Sequence, residues 1–113
     1  MALVVDDDPS LRTLVRVNLE LEGFAVREAG SVGDAQAAVE RERPDVVLLD
    51  VHLGGEHSTA LLESLREQGI PVALVTGSVD VRDYEHAADA VLAKPFLPEN
   101  LIDVARRLAR VAK

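Results

Sequence analysis

Four apolar stretches of the sequence are each followed directly by side chains that can take part in ionic chemistry. These side chains are three carboxylates, one hydroxyl and one ammonium group: Asp6, Asp7, Asp50, Thr76 and Lys94. Two carboxylates about 4 Å apart repel each other by about 4 kcal/mol at an effective dielectric constant of 20, so their pKa values rise or a cation lies between them. One lysine does not balance three carboxylates. A hard divalent cation does, and an all-oxygen site with few protein ligands suits Mg²⁺.

A carboxylate nucleophile, a cation, an ammonium group and a hydroxyl donor together meet the needs of phosphoryl transfer. We therefore predict that Asp50 attacks phosphorus, while Mg²⁺ and Lys94 stabilise charge on the phosphoryl oxygens and Thr76 donates a hydrogen bond. Each signal is weak alone, because an acidic pair after a strand is commonly a helix cap and Lys-Pro is a common turn. Asp8, directly before Pro9, is predicted to be only a helix cap.

The elements that position these side chains follow from an alternation of apolar runs with amphipathic segments. Five short apolar runs are predicted to be strands: 2–5, 24–27, 46–49, 72–75 and 90–93. Five segments between and after them are predicted to be helices: 9–22, 31–43, 59–68, a short polar one at 80–87, and 98–111. This alternation predicts one α/β domain over residues 1–113, with a parallel sheet covered by helices on both faces. Sites in such sheets form at the carboxyl ends of the strands, where the five side chains would converge.

Length and composition limit the classes of function. The chain has 113 residues, enough for one domain, and 48% of them are hydrophobic. The formal net charge of −8 disfavours direct contact with nucleic acid. There are no cysteines, so disulfides and thiolate metal sites are excluded. No apolar run approaches the ~20 residues needed to span a bilayer, and the N-terminus lacks a secretory signal pattern. We expect a cytoplasmic protein that does not contact membranes.

Four motifs of the sequence together resemble those of the response-regulator receiver domains of bacterial two-component signalling. The first strand and its acidic pair lie in Leu3-Val4-Val5-Asp6-Asp7-Asp8-Pro9, and the acceptor strand in Val46-Val47-Leu48-Leu49-Asp50. Val75-Thr76-Gly77 resembles the family's switch threonine with its small neighbour, and Lys94-Pro95-Phe96 resembles its lysine signature. The resemblance extends over essentially the whole chain.

The resemblance implies a fold, a set of roles and partners. The fold would be a flavodoxin-like doubly wound sheet of five parallel strands in the order 2-1-3-4-5, with five helices. Asp50 would be the phospho-acceptor; Asp7 and Asp50 would ligate Mg²⁺ directly with the backbone carbonyl of His52, and Asp6 mostly through water. Thr76 and Lys94 would contact the phosphoryl group. The partner would be a histidine kinase or a histidine phosphotransfer domain, and the chain a monomer or weak dimer.

The sequence departs from the family pattern in the acceptor loop and in the output region. The family usually has Pro at position 54 and Gly at position 58, where this chain has Gly54 and Ser58. Gly54 should loosen the loop, and Ser58 is predicted to cap the following helix. The family's aromatic switch residue is replaced by Val91. The segment between Thr76 and Lys94 is shorter by roughly one helical turn, about 3.6 residues, which shortens the predicted fourth helix.

These observations favour a phosphorylatable signalling module rather than an enzyme. The first alternative is a receiver-like interaction module that is not phosphorylated, which the changed output region suggests and the intact acidic site opposes. The second is a phosphatase with an aspartyl intermediate, but Asp6 and Asp8 are not followed by the threonine of the haloacid-dehalogenase-like pattern. A stand-alone regulator, a relay shuttle and a receiver cut from a longer chain all remain compatible with the sequence.

Overall fold

The structure, a computed structural model, describes residues 1–53, 56–77, 88–94 and 96–111. These residues form seven strands: β1 (Ala2–Val5), β2 (Val26–Ala29), β3 (Val46–Asp50), β4 (His52–Leu53), β5 (Glu56–His57), β6 (Val72–Thr76) and β7 (Ala90–Ala93). They also form four helices: α1 (Pro9–Leu21), α2 (Val32–Arg41), α3 (Thr59–Glu67) and α4 (Pro98–Val111). The predicted short helix at 80–87 lies outside the described residues. None of the described helices is both long and apolar enough to cross a membrane.

Five strands form a parallel sheet in the order β2-β1-β3-β6-β7. Counted along the chain, this is the predicted order 2-1-3-4-5, so the doubly wound α/β fold is confirmed. The predicted second strand at 24–27 begins and ends two residues too early, because the sheet uses Val26–Ala29.

The core has two halves, one on each face of the sheet. Alternate residues of β1 and β3, such as Leu3 and Leu49, face a cluster that includes Leu61 and Leu65 of α3. The intervening residues face a second cluster with α1 and α4. Because both faces are covered, the central strands are apolar along almost their whole length, as is typical of parallel sheets. These strands therefore form a rigid base whose carboxyl ends can hold polar groups in fixed positions.

The predicted helix ends agree with the structure in most places. Asp8 caps α1 by accepting hydrogen bonds from the N–H groups of Ser10 and Leu11, and Ser31 caps α2 by accepting one from Asp34 N. Gly23 follows α1 with a φ of 93°, a left-handed conformation that glycine adopts at little cost.

A second, two-stranded sheet lies directly after the third strand of the main sheet and was not predicted. β4 and β5 pair antiparallel, with His52 opposite His57 and Leu53 opposite Glu56. The segment between Asp50 and α3 is thus a backbone-paired hairpin, where the sequence suggested only a loosened loop. Gly54, to which that loosening was assigned, lies outside the described residues.

Candidate functional site

The register of the parallel sheet brings the polar strand ends together. Val5 lies opposite Leu49, so Asp6 and Asp50 follow the two strands at the same level. Asp50 lies opposite Val75, and Thr76 comes one residue later. Thr76 in turn lies opposite Ala93, directly before Lys94. The convergence predicted at the carboxyl edge of the sheet is therefore a consequence of strand pairing.

Three carboxylates and one ammonium group form the centre of the site. Asp6, Asp7 and Asp50 each offer a carboxylate oxygen, and these oxygens all lie within 4.8 Å of one another. Lys94 Nζ lies 3.2 Å from Asp50 Oδ2 and 3.6 Å from Asp6 Oδ2. Asp6 and Asp50 are buried, whereas Asp7 is exposed. The group is open to solvent on the side of Asp7, so a cation and an anionic ligand can approach from there.

Burial raises the pKa of Asp6 above its ordinary value. The Asp8 N–H lowers this pKa by donating a 2.9 Å hydrogen bond to Asp6 Oδ1. The Asp50 carboxylate raises the pKa by repulsion, and the Lys94 ammonium group lowers it by attraction. A hydrogen bond between the Asp6 and Asp50 side chains also raises it. Among the described residues, the three grouped carboxylates face the ammonium group of Lys94.

Thr76 and the backbone of His52 complete the predicted site. Thr76 is 1% exposed at the end of β6, and its carbonyl accepts a 2.8 Å hydrogen bond from Lys94 N. This bond ties the lysine to the same strand end as the threonine. His52 begins β4 two residues after Asp50. Its carbonyl is thus close to the acceptor in the chain, and its role as a ligand stays a prediction.

Ser58 does not cap α3 as the sequence analysis predicted. It occupies the cap position, but its side chain makes no capping hydrogen bond. The hydroxyl instead lies 2.9 Å from both Asp50 O and Val51 O, to which it donates, and Ser58 N donates to Val51 O at 3.3 Å. Ser58 is buried beside these carbonyls, with 3% of the residue exposed, and its side chain therefore points towards them and not towards the start of α3. Ser58 therefore ties the two ends of the acceptor loop together.

Two charged residues beside the site carried no signal in the sequence. Arg12 on α1 donates from Nη1 to the backbone carbonyl of Asp6 at 2.8 Å. Its Nε donates to Glu28 Oε1 on β2 at 3.1 Å. Glu28 directly follows the predicted second strand, 24–27, and no role was predicted for it. Glu28 lies sixteen residues after Arg12, so no local sequence pattern links the two residues. Only the predicted pairing of β1 with β2 could have indicated the contact.

The apolar residues around the site divide into packed and exposed ones. Leu11 and Phe96 are half-buried against the cluster beneath α1 and α4. Leu14 is 52% exposed on α1 and therefore contributes little to the core. Val91, which replaces the family's aromatic residue, packs against the opposite cluster. An exposed leucine on the helix that follows the acidic pair is available to a partner.

Comparison with known families gives one match over nearly the whole chain. Residues 2–106 match the family described as the response regulator receiver domain. Among curated proteins, the chain is 40% identical to the DNA-binding response regulator MtrA of Mycolicibacterium smegmatis, over 98% of this chain and 50% of that protein. It is 32% identical to the transcriptional regulator RpaA of Synechocystis, over 96% of this chain and 48% of that protein. The chain thus spans about half the length of these relatives.

Solved structures give the same result for the fold. The receiver domain of NtrX from Brucella abortus superposes with a TM-score of 0.90 at 33% identity, covering 97% of this chain and 98% of that one. A CheY-like receiver domain protein from Methanospirillum hungatei superposes with a TM-score of 0.88 at 30% identity, covering 98% and 94%. Both neighbours are receiver domains over nearly their whole length, so the likeness is not confined to the sheet.

Proposed function

Because this chain belongs to the response regulator receiver domain family, whose members are phospho-accepting modules of two-component signalling, we propose that Asp50 is its phosphoryl acceptor. The observation that carries the proposal is the grouping of Asp50 with two further carboxylates within 4.8 Å. Lys94 Nζ, 3.2 Å from Asp50 Oδ2, supplies the positive charge expected beside a phosphorylated carboxylate.

The reaction requires one bond to form and one to break. A carboxylate oxygen of Asp50 bonds to phosphorus, while the bond from phosphorus to the donor's leaving atom breaks. With a phosphohistidine donor the leaving atom is an imidazole nitrogen, which keeps the bonding electron pair and takes up a proton. The product on this chain is an aspartyl phosphate. Lys94 and Thr76, joined through the backbone hydrogen bond between them, would then contact the phosphoryl oxygens.

The carboxylates of Asp6, Asp7 and Asp50 and the backbone carbonyl of His52 would hold a Mg²⁺ ion. The fit is supported by an all-oxygen donor set within 4.8 Å and by a negative charge that one lysine does not balance. Asp7 and Asp50 would bind directly and Asp6 mostly through water. When bound, Mg²⁺ supplies positive charge that stabilises the phosphoryl oxygens during transfer.

The physiological donor is proposed to be a histidine kinase or a histidine phosphotransfer domain. Leu14, exposed on the helix that follows the acidic pair, is suited to contact the helices of such a partner. DNA binding, which the names of MtrA and RpaA describe, is not assigned to this domain itself. A net charge of −8 would repel the phosphate backbone.

The proposal is tested by incubating the protein with acetyl phosphate and Mg²⁺ and measuring its intact mass. We expect the mass of one phosphoryl group to be added, and we expect hydroxylamine to remove it, as it does acyl phosphates. Asp50→Asn should remain unmodified, and Asp7→Ala should lose most of the reaction. Asp103→Asn, an exposed carboxylate on α4, is the matched control and should react like the wild type. Equal modification of Asp50→Asn would refute the assignment of the acceptor.

A further inference from the structure

A cluster of charged side chains joins the second strand to the first helix beside the acidic site. Both carboxylate oxygens of Glu28 on β2 are engaged by arginines of α1. Arg12 Nε lies 3.1 Å from Glu28 Oε1, and Arg16 Nη1 lies 2.8 Å from Glu28 Oε2. The side chains of Arg12 and Glu28 are 22% and 26% exposed, so their geometry is more restrained than that of a fully solvated pair.

Arg12 makes one further contact that Arg16 does not make among the described residues. Its Nη1 donates to the backbone carbonyl of Asp6 at 2.8 Å. The N–H of Asp6 donates to Ala29 O on β2 at 3.1 Å. Both backbone polar groups of Asp6 are therefore held from the same side of the molecule. One is held by the sheet and the other by a guanidinium group that Glu28 orients.

Gly30 provides the space that this guanidinium group occupies. A Cβ atom at position 30 would lie 2.9 Å from Arg12 Nη1, closer than side chains tolerate, and 4.0 Å from Asp6 O. Gly30 is not among the glycines with a positive φ, which are Gly23 and Gly69. A side chain at position 30 would therefore require the flexible end of Arg12 to shift, whereas the backbone conformation itself does not call for glycine.

We propose that Arg12 is a positioning residue for the carboxylate of Asp7, which the proposed function makes a direct Mg²⁺ ligand. The carbonyl of Asp6 and the N–H of Asp7 belong to one planar peptide group. A hydrogen bond to that carbonyl fixes the plane, and with it the direction in which the Asp7 side chain leaves the backbone. Groups one step removed from a metal commonly set the affinity of its ligands in this way.

The simpler alternative is that the charged cluster only stabilises the fold. Partly exposed ion pairs usually contribute little to stability, and such a contribution would come from both arginines. Arg16 is the matched control because it binds the same Glu28 from the same helix. Its removal costs the ion pairs with Glu28 and Glu20 without freeing the Asp6 carbonyl. A positioning role predicts that the two arginine variants differ in Mg²⁺ affinity, whereas a purely structural role predicts that they do not.

The test compares Arg12→Ala, Arg16→Ala and Gly30→Ala with the wild-type protein. Mg²⁺ affinity is measured without phosphodonor, by following backbone amide NMR signals during a Mg²⁺ titration. The Mg²⁺ concentration at half-maximal rate and the maximal rate of phosphorylation by acetyl phosphate are measured separately. Urea unfolding gives the stability of each variant. Arg12→Lys, which keeps the charge but not the forked geometry, is expected to recover part of the affinity.

We expect Arg12→Ala to weaken Mg²⁺ binding about tenfold, at the lower end of the range for groups that orient metal ligands. The maximal rate at saturating Mg²⁺ should stay within about twofold, because Asp50 and Lys94 are untouched. Gly30→Ala should weaken binding in the same direction but less than Arg12→Ala, because the flexible end of Arg12 would only have to shift. Arg16→Ala should change the affinity less than twofold. Equal Mg²⁺ affinities for Arg12→Ala and Arg16→Ala would overturn the inference. If the wild type itself takes up no phosphoryl group, the proposed function has failed instead.

Discussion

Replacing Asp6 with asparagine should stabilise the protein at neutral pH in the absence of divalent cations. Asp6 is buried, and one of its carboxylate oxygens lies within 4.8 Å of an oxygen of Asp50. Because 4.8 Å is the upper limit of that separation, repulsion between two charged carboxylates there is at least about 3.5 kcal/mol at an effective dielectric constant of 20. Attraction to Lys94 Nζ at 3.6 Å is about 4.6 kcal/mol under the same assumption. The two Coulomb energies nearly offset each other.

The cost of burying the Asp6 charge therefore decides whether Asp6→Asn raises or lowers the free energy of unfolding. Removing an ion from water costs several kcal/mol in proteins. An asparagine at position 6 removes this cost, and its Oδ1 can still accept the hydrogen bond from Asp8 N. We expect a net gain of about 1–2 kcal/mol, because the amide itself is also less well solvated when buried. For a domain of 113 residues, each kcal/mol raises the melting temperature by about 4 °C.

The gain should depend on pH in a defined direction. The folded protein holds the Asp6 proton more tightly than the unfolded chain, because burial raises the pKa above its ordinary value of 3.8. Raising the pH from below 3.8 through the pKa of the folded state thus removes stability from the wild type. Asp6→Asn has no such proton and avoids this loss. The gain in stability of Asp6→Asn over the wild type should be small at acidic pH and complete at neutral pH.

Urea unfolding followed by circular dichroism measures this difference, since the chain has no tryptophan. The measurement is made with EDTA from pH 8 down to the lowest pH at which both proteins fold. Asp103→Asn, at an exposed position, serves as the charge-matched control. Mg²⁺ at ten times its dissociation constant should stabilise the wild type by about 1.4 kcal/mol and the variant less, narrowing the gap. The reasoning would be refuted if Asp6→Asn were less stable than the wild type at pH 7. It would also be refuted if the difference in stability between the two proteins did not change with pH.

Two further predictions concern the loop and the helix beside the site. Ser58→Ala should lower stability by about 1–2 kcal/mol, because the buried carbonyl of Asp50 loses the hydroxyl donor, while Val51 O keeps the N–H of residue 58. Acetyl phosphate should also modify this variant more slowly. Ser64→Ala, within α3, is the control, and an equal loss there would contradict the role given to Ser58. Leu14→Asp should slow transfer from a phosphohistidine donor about tenfold, or about 1.4 kcal/mol, and spare acetyl phosphate. Leu21→Asp, about 10.5 Å further along α1, should spare both; equal loss with both donors for Leu14→Asp would indicate destabilisation instead.

The central strands and the main site residues could be predicted because one physical constraint determines both. A strand covered on both faces is an apolar run, and its end is visible where the first charged residue appears. Asp6 and Asp50 are such residues, and parallel pairing brings them together. The edge strand β2 was predicted to end at Arg27. It is only partly buried, so that Glu28 belongs to the strand despite its charge.

The parts that the sequence did not reveal depend on single contacts between distant residues. The hydroxyl of Ser58 had two possible roles. Its oxygen could accept a hydrogen bond from an N–H group in the first turn of α3, or its proton could be donated to the carbonyls of Asp50 and Val51. Propensity favours the first, but burial beside Asp50 and Val51 decides for the second. The hairpin after Asp50 was missed for a related reason. A pair of glycines indicates a turn but does not specify whether the flanking residues pair.

The two loops that carry the carboxylates are restrained in the same manner. Arg12 binds the carbonyl of Asp6, and Ser58 binds those of Asp50 and Val51. Without such restraints, repulsion between Asp6 and Asp50 would be relieved by a small movement of either loop. Because the backbone is held, the buried carboxylates stay grouped in the folded protein, and a bound cation would offset the cost of burying them. Metal affinity and folding stability are therefore coupled through these backbone hydrogen bonds, and loosening either loop should weaken Mg²⁺ binding even where every carboxylate is retained.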